Sequence, residues 1–181
     1  MKDSKTFWDN SAQRYAKSRI QDEAAYRKKL DITQKYLQPD WSVLEFGCGT
    51  GSTAMVHAPH VKDILATDIS DNMLAIAAQK AKDAGIGNIR FQQGTLESIN
   101  PPSASFDAVL GLNILHLLED PDSAIAISYK ALKPGGVFIT STALVKEMNP
   151  FVRLLIPLMQ VLKLAPFVNY FNKTELVAKL N

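Results

Sequence analysis

The sequence predicts one α/β domain in which helices pack on a mainly parallel sheet of at least five strands. Apolar runs alternate with amphipathic stretches from about Ser42 onward, which is the rhythm of α/β folds. The intervals between the runs are long enough for crossover helices, and such connections join parallel strands. A chain of 181 residues, 46% hydrophobic and 21% charged, suits a single globular domain.

Residues 1–40 precede the sheet and are predicted to form an N-terminal helical cap. Between Thr6 and Leu37, aromatic and aliphatic residues are spaced among many charges, which favours one or two amphipathic helices. Residues 41–145 form the core, in which five apolar runs are predicted as strands. These runs are Ser42–Phe46, Asp63–Thr67, Asn88–Gln92, Phe106–Leu112 and Val137–Thr142.

Two of the crossover helices carry clear end signals. Ser70 can cap the helix after the second strand, and Gly85 can end it. The buried face of that helix is predicted to hold Leu74, Ala77, Ala78 and Ala81. A later helix begins at Asp120-Pro121, because proline is favoured at the first helical position, and it ends before Lys133-Pro134-Gly135-Gly136.

The C-terminal part consists of an apolar segment, 146–172, and a predicted terminal helix, 173–181. Leu154 and Leu158 are among the apolar residues that recur there at helical spacing. The segment is interrupted by Arg153, Pro157, Gln160, Lys163 and Pro166. It therefore falls short of the roughly 20 apolar residues that span a bilayer. No further strand follows, so the fifth strand would be an exposed sheet edge unless this segment or a partner covers it.

Composition excludes several classes of protein. Cys48 is the single cysteine, so no internal disulfide can form, and no Cys/His cluster has metal-ligand spacing. The net charge of +2 gives no sign of a nucleic-acid partner. The first residues lack the apolar stretch of a signal peptide, and we expect a cytoplasmic protein. His57 and His60 flank Pro59 and are expected in a surface loop.

The strongest local signal is a glycine-rich turn, Gly47-Cys48-Gly49-Thr50-Gly51, between the first strand and a helix. Glycines allow a tight turn and let a ligand approach the backbone closely. The N–H groups at the helix start favour a carboxylate or another electron-rich group. The alternative is an ordinary strand-to-helix turn without a ligand.

Asp68 ends the second strand, 21 residues after Gly47. In nucleotide-binding crossover units, an acid at about this distance accepts hydrogen bonds from ribose hydroxyls. The alternative is an N-terminal charge for the next helix, a role that Asp71 can fill equally well. The turn and the acid together are more specific than either alone.

These motifs resemble those of the class I S-adenosylmethionine-dependent methyltransferases across about Asp40 to Thr142. The residues that carry the resemblance are Glu45–Gly51, Asp68-Ile69-Ser70 with Met73-Leu74, Gly94, Phe106–Val109 and Leu132–Gly136. Within that superfamily the chain is similar to the small-molecule branch that includes ubiquinone and menaquinone biosynthesis methyltransferases. The resemblance implies a Rossmann-like three-layer sandwich, here without the usual C-terminal strands.

The resemblance also implies a role for each residue at the site. Glu45 and the turn residues Gly47, Cys48, Gly49 and Gly51 would surround the methionine part of S-adenosylmethionine. Asp68 would hold the ribose, and Ile69 and Met73 would pack on the adenine. Where the family has Gly-Asp after the third strand, this chain has Gly94-Thr95. The contact with the adenine ring would therefore be made by Thr95 or by the main chain of Leu96.

Two residues after the fourth strand complete the predicted site. Asn113 would lie near the transferred methyl group. His116 is the candidate catalytic base, because an imidazole titrates near neutral pH and can take a proton from a hydroxyl acceptor. The alternative for His116 is a partly buried histidine at a helix entry.

The predicted function is methyl transfer to a small, apolar or lipid-like acceptor, with S-adenosylhomocysteine as the second product. Segment 146–172 is predicted as a mobile lid over the acceptor; the alternative is a helix buried against the sheet or against a homodimer partner. Arg153 and Lys163 also allow peripheral contact with a membrane surface. One rival is a nicotinamide-dependent oxidoreductase, whose glycines follow G-x-G-x-x-G instead of the G-x-G-x-G found here. The other rival is a cofactor-binding protein without turnover.

Overall fold

Five parallel strands form the sheet around which the chain is built. In the computed structural model, which describes residues 2–20, 22–162 and 164–180, they are β1 Ser42–Phe46, β2 Asp63–Asp68, β3 Ile89–Gln93, β4 Phe106–Leu112 and β5 Leu132–Ser141. Their order is β3-β2-β1-β4-β5, and every neighbouring pair is parallel. The predicted α/β fold class is confirmed. Lys163, placed above in the lid, lies outside the described residues.

Helices flank the sheet and connect its strands. They are α1 Lys2–Lys17, α2 Glu23–Gln34, α3 Ser52–His57, α4 Asp71–Asp83, α5 Leu96–Ile99, α6 Pro121–Ala131, α7 Pro150–Val161 and α8 Lys173–Leu180. Short 3-10 turns occur at Ala58–His60, Leu115–Leu117 and Val145–Glu147. The N-terminal region thus holds two helices, and the terminal helix lies at its predicted place.

The predicted helix starts are confirmed. The Ser70 hydroxyl accepts a hydrogen bond from the Met73 N–H at the start of α4, and the Asp120 carboxylate accepts one from the Ser123 N–H at the start of α6. The buried face of α4 consists of Met73, Leu74, Ala77 and Ala81. Ala78 was assigned to this face wrongly: it is exposed, and Met73 belongs to the buried face instead.

The fifth strand begins earlier than predicted. Leu132 pairs with Phe106 and Val137 with Ala108, so β5 contains extra residues relative to β4 at this point. Gly135, with a φ of +81°, lies within the extra residues and allows the irregularity. The sequence signal of Lys133-Pro134-Gly135-Gly136 therefore marks a bulged strand start and not a turn before the strand.

Successive residues of the strands contribute to cores on opposite faces of the sheet. Val43 belongs to the cluster that packs with Leu74, whereas Leu44 belongs to the cluster that packs with Ile125 and Phe171. Helices therefore cover both faces, which gives the three-layer sandwich.

Helix α7 leaves much apolar surface exposed. Phe151, Leu154 and Val161 are 79%, 76% and 80% exposed. This exposure contradicts the alternative of a helix buried against the sheet. None of the helices in the described ranges has the length and apolar character needed to cross a membrane.

Candidate functional site

A large cavity lies at the carboxyl edge of the sheet. After β1 the chain crosses to β2 on one side, and β4 pairs on the other side of β1, so the strand order switches between β1 and β4. Ligands of open α/β sheets bind outside the carboxyl ends of the strands at such a point. The cavity, called the main cavity below, has a volume of about 930 Å³. Small-molecule sites have volumes of about 300–1,000 Å³.

Most residues of the predicted site meet in the main cavity. Its walls include Gly47, Cys48, Gly49, Asp68, Ile69, Met73, Thr95, Leu96 and Asn113. Three predicted residues are absent from its described lining: Glu45, Gly51 and His116. The structure therefore brings the glycine turn, the acid after β2 and the start of α5 together, and places those three elsewhere.

The three glycines of the turn serve different purposes. Gly47, Gly49 and Gly51 have φ values of +64°, +54° and +71°, a region that residues with a side chain rarely adopt. A Cβ on Gly47 would lie 2.4 Å from Ile114 Cγ1, and one on Gly51 would lie 2.9 Å from the Cβ of Ala77. These two glycines are required by packing. A Cβ on Gly49 would meet only Tyr15 Cε1, at 3.9 Å, so Gly49 faces open cavity.

Asp68 fastens the glycine turn to the end of β2. Its Oδ2 accepts a hydrogen bond from the Gly49 N–H at 2.8 Å, and its Oδ1 accepts one from the Ser70 N–H at 2.9 Å. Burial raises the pKa of Asp68, and these two N–H groups oppose the rise. This role of Asp68 as an acceptor for main-chain N–H groups was not predicted from the sequence. Asp71 is exposed in the first turn of α4, so the helix-charge role belongs to it.

Glu45 lies behind the cavity wall and is 1% exposed. The Thr53 hydroxyl, which lines the cavity, donates to Glu45 Oε1 at 2.6 Å, whereas Oε2 has no hydrogen-bond partner among the described residues. Burial raises the pKa of Glu45 to about 7, although Thr53 and the charge of Lys29 lower it. Sequence reasoning missed Thr53, because a lone threonine on a helix carries no signal.

The buried Glu45 predicts a stability that depends on pH. Between an ordinary pKa of 4.5 and about 7, the folded protein binds a proton that the unfolded chain releases, so stability falls as pH rises through this window. The slope from Glu45 reaches about 1.4 kcal/mol per pH unit. We expect Glu45→Gln to remove it, measured by urea denaturation of ligand-free protein from pH 5 to 8.

His57 must be controlled for in that experiment. It is fully buried, not in a surface loop as predicted, and burial first, then the charges of His60 and Lys29, lower its pKa to about 4. Its contribution therefore rises with pH between about 4 and 6.5, opposite in sign to that of Glu45. The difference between Glu45→Gln and the parent isolates Glu45. Parallel stability curves for the two proteins would contradict the assignment.

The N-terminal helices form part of the cavity wall. Trp8 and Tyr15 of α1 and Tyr26 and Lys29 of α2 line the main cavity. Sequence reasoning assigned no site residue to this region, although Trp8 and Tyr15 lie seven residues apart and so on one helix face.

Helix α1 is held beside Asp68 by polar contacts. Asp9 Oδ1 accepts from the Ser70 hydroxyl at 2.7 Å, and Asp9 Oδ2 pairs with Lys5 at 2.7 Å. Lys5 also pairs with Asp71 at 2.8 Å. The cap is thus joined to the same turn that Asp68 supports.

Thr95 and Asn113 have local structural roles within the cavity wall. The Thr95 hydroxyl caps α5 by accepting from the Ser98 N–H at 3.2 Å. Asn113 has a φ of +60°, and its Oδ1 accepts from the Ser141 hydroxyl at 3.1 Å. Asparagine tolerates this backbone region better than most residues, which explains its place at the end of β4.

His116 does not line the main cavity, and it is hydrogen-bonded to Thr142. Its Nδ1 lies 2.9 Å from the Thr142 hydroxyl oxygen, and its main-chain N–H donates to the same oxygen at 3.0 Å. Partial burial lowers the pKa of His116. Its base role stays a prediction.

Comparison with known proteins agrees with this geometry. A family model described as a methyltransferase domain matches residues 43–136, just over half of the chain. An uncharacterized methyltransferase, YcgJ of Bacillus subtilis, is 35% identical over 97 residues, which are 54% of this chain and 38% of that protein. The ubiquinone/menaquinone biosynthesis C-methyltransferase UbiE of Shewanella halifaxensis is 32% identical over 113 residues, 60% of this chain and 45% of UbiE. The matched region thus spans less than half the length of these curated relatives.

Solved structures show the same fold. The crystal structure of YcgJ superposes with a TM-score of 0.72 at 26% identity and covers 84% of this chain and 66% of that one. Phosphoethanolamine N-methyltransferase 2 of Haemonchus contortus, in complex with S-adenosyl-L-methionine, has a TM-score of 0.71 at 19% identity, over 86% of this chain and 36% of its own. The matched family, the relatives and the cavity built on the glycine turn together place this chain in the class I S-adenosylmethionine-dependent methyltransferases.

Proposed function

We propose that this chain transfers a methyl group from S-adenosylmethionine to a small, apolar or lipid-like acceptor. The observation that carries the proposal is the meeting of the Gly49 turn and the Asp68 carboxylate in one cavity of about 930 Å³. This volume suits a nucleoside-type cofactor together with a small acceptor.

The residues present fit the cofactor. The carboxylate of Asp68 uses one N–H on each oxygen and keeps further acceptor capacity for ribose hydroxyls. Gly49 leaves open space for a close approach, and Ile69 and Met73 offer an apolar wall to the adenine. Beside the turn, the buried Glu45 is connected to the cavity wall through the hydroxyl of Thr53.

The chemistry needs alignment more than reactive side chains. The cofactor, when bound, supplies an activated methyl group. The cavity walls would orient the acceptor near Asn113 at the end of β4, and helices α1 and α2 would exclude water. Neither a catalytic triad nor a metal is required of the protein.

Binding decides between the proposed cofactor and a nicotinamide. Native mass spectrometry of the purified protein, followed by calorimetric titration with S-adenosylmethionine, S-adenosylhomocysteine and NAD, separates them. We expect the first two to bind and NAD not to bind. Selective binding of NAD would overturn the proposal.

The apolar acceptor is supported by apolar side chains in the lining of the main cavity, among them Trp8, Ile20, Ile114 and Leu118. We propose segment 146–172 as its lid, although none of its described residues lines the main cavity. A cytoplasmic location, peripheral membrane contact and a homodimer also stay predictions.

The lid hypothesis predicts that Leu158→Glu in α7 weakens binding of an apolar ligand but spares cofactor binding. Leu158 is more than half exposed, so a carboxylate there costs little folding stability. The measurements are S-adenosylhomocysteine affinity, partition of a fluorescent apolar probe into the cavity and thermal melting. Unfolding of the variant would show that the segment belongs to the core.

His116→Gln tests the proposed base. If the acceptor is a hydroxyl, turnover should fall while cofactor affinity stays within about twofold, because the cofactor site does not include the imidazole. Thr142→Val is the matched control, since it removes the partner of His116 without removing the ring. Equal turnover in His116→Gln and the parent would leave His116 with a structural role alone.

A cofactor-binding protein without turnover is the second candidate. The capping role of Thr95 favours it, because this hydroxyl is committed to α5 where the family has a carboxylate. Cofactor binding without methyl transfer to a broad acceptor panel would support this reading.

A further inference from the structure

Lys29 is a cation in the wall of the main cavity. It projects from α2, is half-buried and lines the main cavity. Its ammonium lies 4.8 Å from the centroid of the Tyr26 ring, a cation–π contact, and no carboxylate among the described residues pairs with it. Burial lowers the pKa of Lys29, and the nearby charge of Glu45 opposes this effect only in part.

A neighbouring tyrosine contacts the ammonium of Lys29. Tyr26 lies one helical turn before it and also lines the cavity. The Thr33 hydroxyl donates to the Lys29 carbonyl at 2.9 Å within the same helix. A partly desolvated ammonium without a counter-ion is costly, and a ligand anion removes that cost.

We propose that Lys29 binds a carboxylate of a ligand in the main cavity, with Tyr26 holding the ammonium in position. The single positive charge of Lys29 matches the single negative charge of a carboxylate. The inference rests on the proposed function, and it extends the site to a residue outside the sheet-edge motifs.

Two sources of this carboxylate fit the cavity. One is the amino-acid end of the cofactor. Thr53 supports this source: it donates its proton to Glu45, so it can accept from an ammonium on the cavity side, and with Lys29 it offers complementary groups for a zwitterion. The other source is an acidic group on the acceptor.

Paired ligands distinguish these sources. S-adenosylhomocysteine carries the amino-acid carboxylate, and 5′-methylthioadenosine keeps the nucleoside but lacks it. If Lys29 binds the cofactor, Lys29→Met should weaken S-adenosylhomocysteine by about 10- to 100-fold and leave 5′-methylthioadenosine unchanged. Lys29→Arg should retain part of the affinity, and Lys28→Met, at an exposed neighbour outside the main cavity, should have no effect.

The second source has its own pair of probes. With S-adenosylhomocysteine saturating, 4-hydroxybenzoate should bind the parent but not Lys29→Met. 4-Hydroxybenzamide, which lacks the carboxylate, should have the same affinity for both proteins. Circular dichroism and thermal melting of Lys29→Met and Lys29→Arg test whether both variants fold. If neither S-adenosylhomocysteine nor 4-hydroxybenzoate shows a dependence on Lys29, the inference is wrong although the proposed function stands. If the parent binds neither nucleoside, the proposed function itself fails.

Discussion

Gly49→Val is expected to abolish binding of S-adenosylhomocysteine while the protein still folds. A Cβ on Gly49 would lie 3.9 Å from Tyr15 Cε1, its nearest contact beyond the adjacent residues, and the side chain would enter the main cavity, where the ligand must approach the turn. The φ of +54° adds a backbone cost of roughly 1–2 kcal/mol, which a folded domain tolerates. Calorimetric titration measures the binding, and thermal melting measures the backbone cost.

Two other glycines provide the controls for this prediction. Gly85 has a similar φ of +69° and open space around it, so Gly85→Val should lose the same stability and keep full binding. Gly47→Ala should lose more stability than either, because its Cβ would lie within the side chain of Ile114. Normal binding by a folded Gly49→Val protein would mean that the turn is structural and that the cofactor lies elsewhere.

The sheet could be predicted from sequence because its signals are local. The runs that became β1 and β4 were predicted with the bounds that the structure has, since each is an apolar run closed by a turn signal. β5 was predicted too short because an irregular pairing depends on the neighbouring strand, and the sequence of Lys133–Gly136 alone resembles a turn.

The candidate site was predictable where its residues belong to a motif. The sequence spacing between Gly49 and Asp68 follows from the geometry of the crossover between β1 and β2, and the two residues meet at the cavity. Tyr15, Lys29 and Thr53 were missed because they reach the cavity only through the packing of helices. That packing depends on contacts such as Asp9 with Ser70, which lie 61 residues apart and follow no local pattern.

Asp68→Ala should weaken S-adenosylhomocysteine by about 1.5–3 kcal/mol, because buried ribose hydroxyls would lose a charged acceptor. The structure adds a second effect: the Gly49 and Ser70 N–H groups lose their acceptor too, so melting temperature should also fall. Asp68→Asn separates the two effects, since its amide oxygen can still accept from one N–H but carries no charge. It should retain more stability than Asp68→Ala and still bind poorly.

The nucleoside probe assigns the loss of affinity to the ribose. 5′-Methylthioadenosine keeps the ribose, so Asp68→Ala should weaken it by the same factor as S-adenosylhomocysteine, in contrast to the selective effect expected of Lys29→Met. A loss confined to S-adenosylhomocysteine would move Asp68 to the amino-acid end of the ligand. Unchanged affinity for both probes in a folded Asp68→Ala protein would leave the carboxylate as an anchor of the glycine turn alone, because the N–H contacts of Gly49 and Ser70 account for its burial without any ligand.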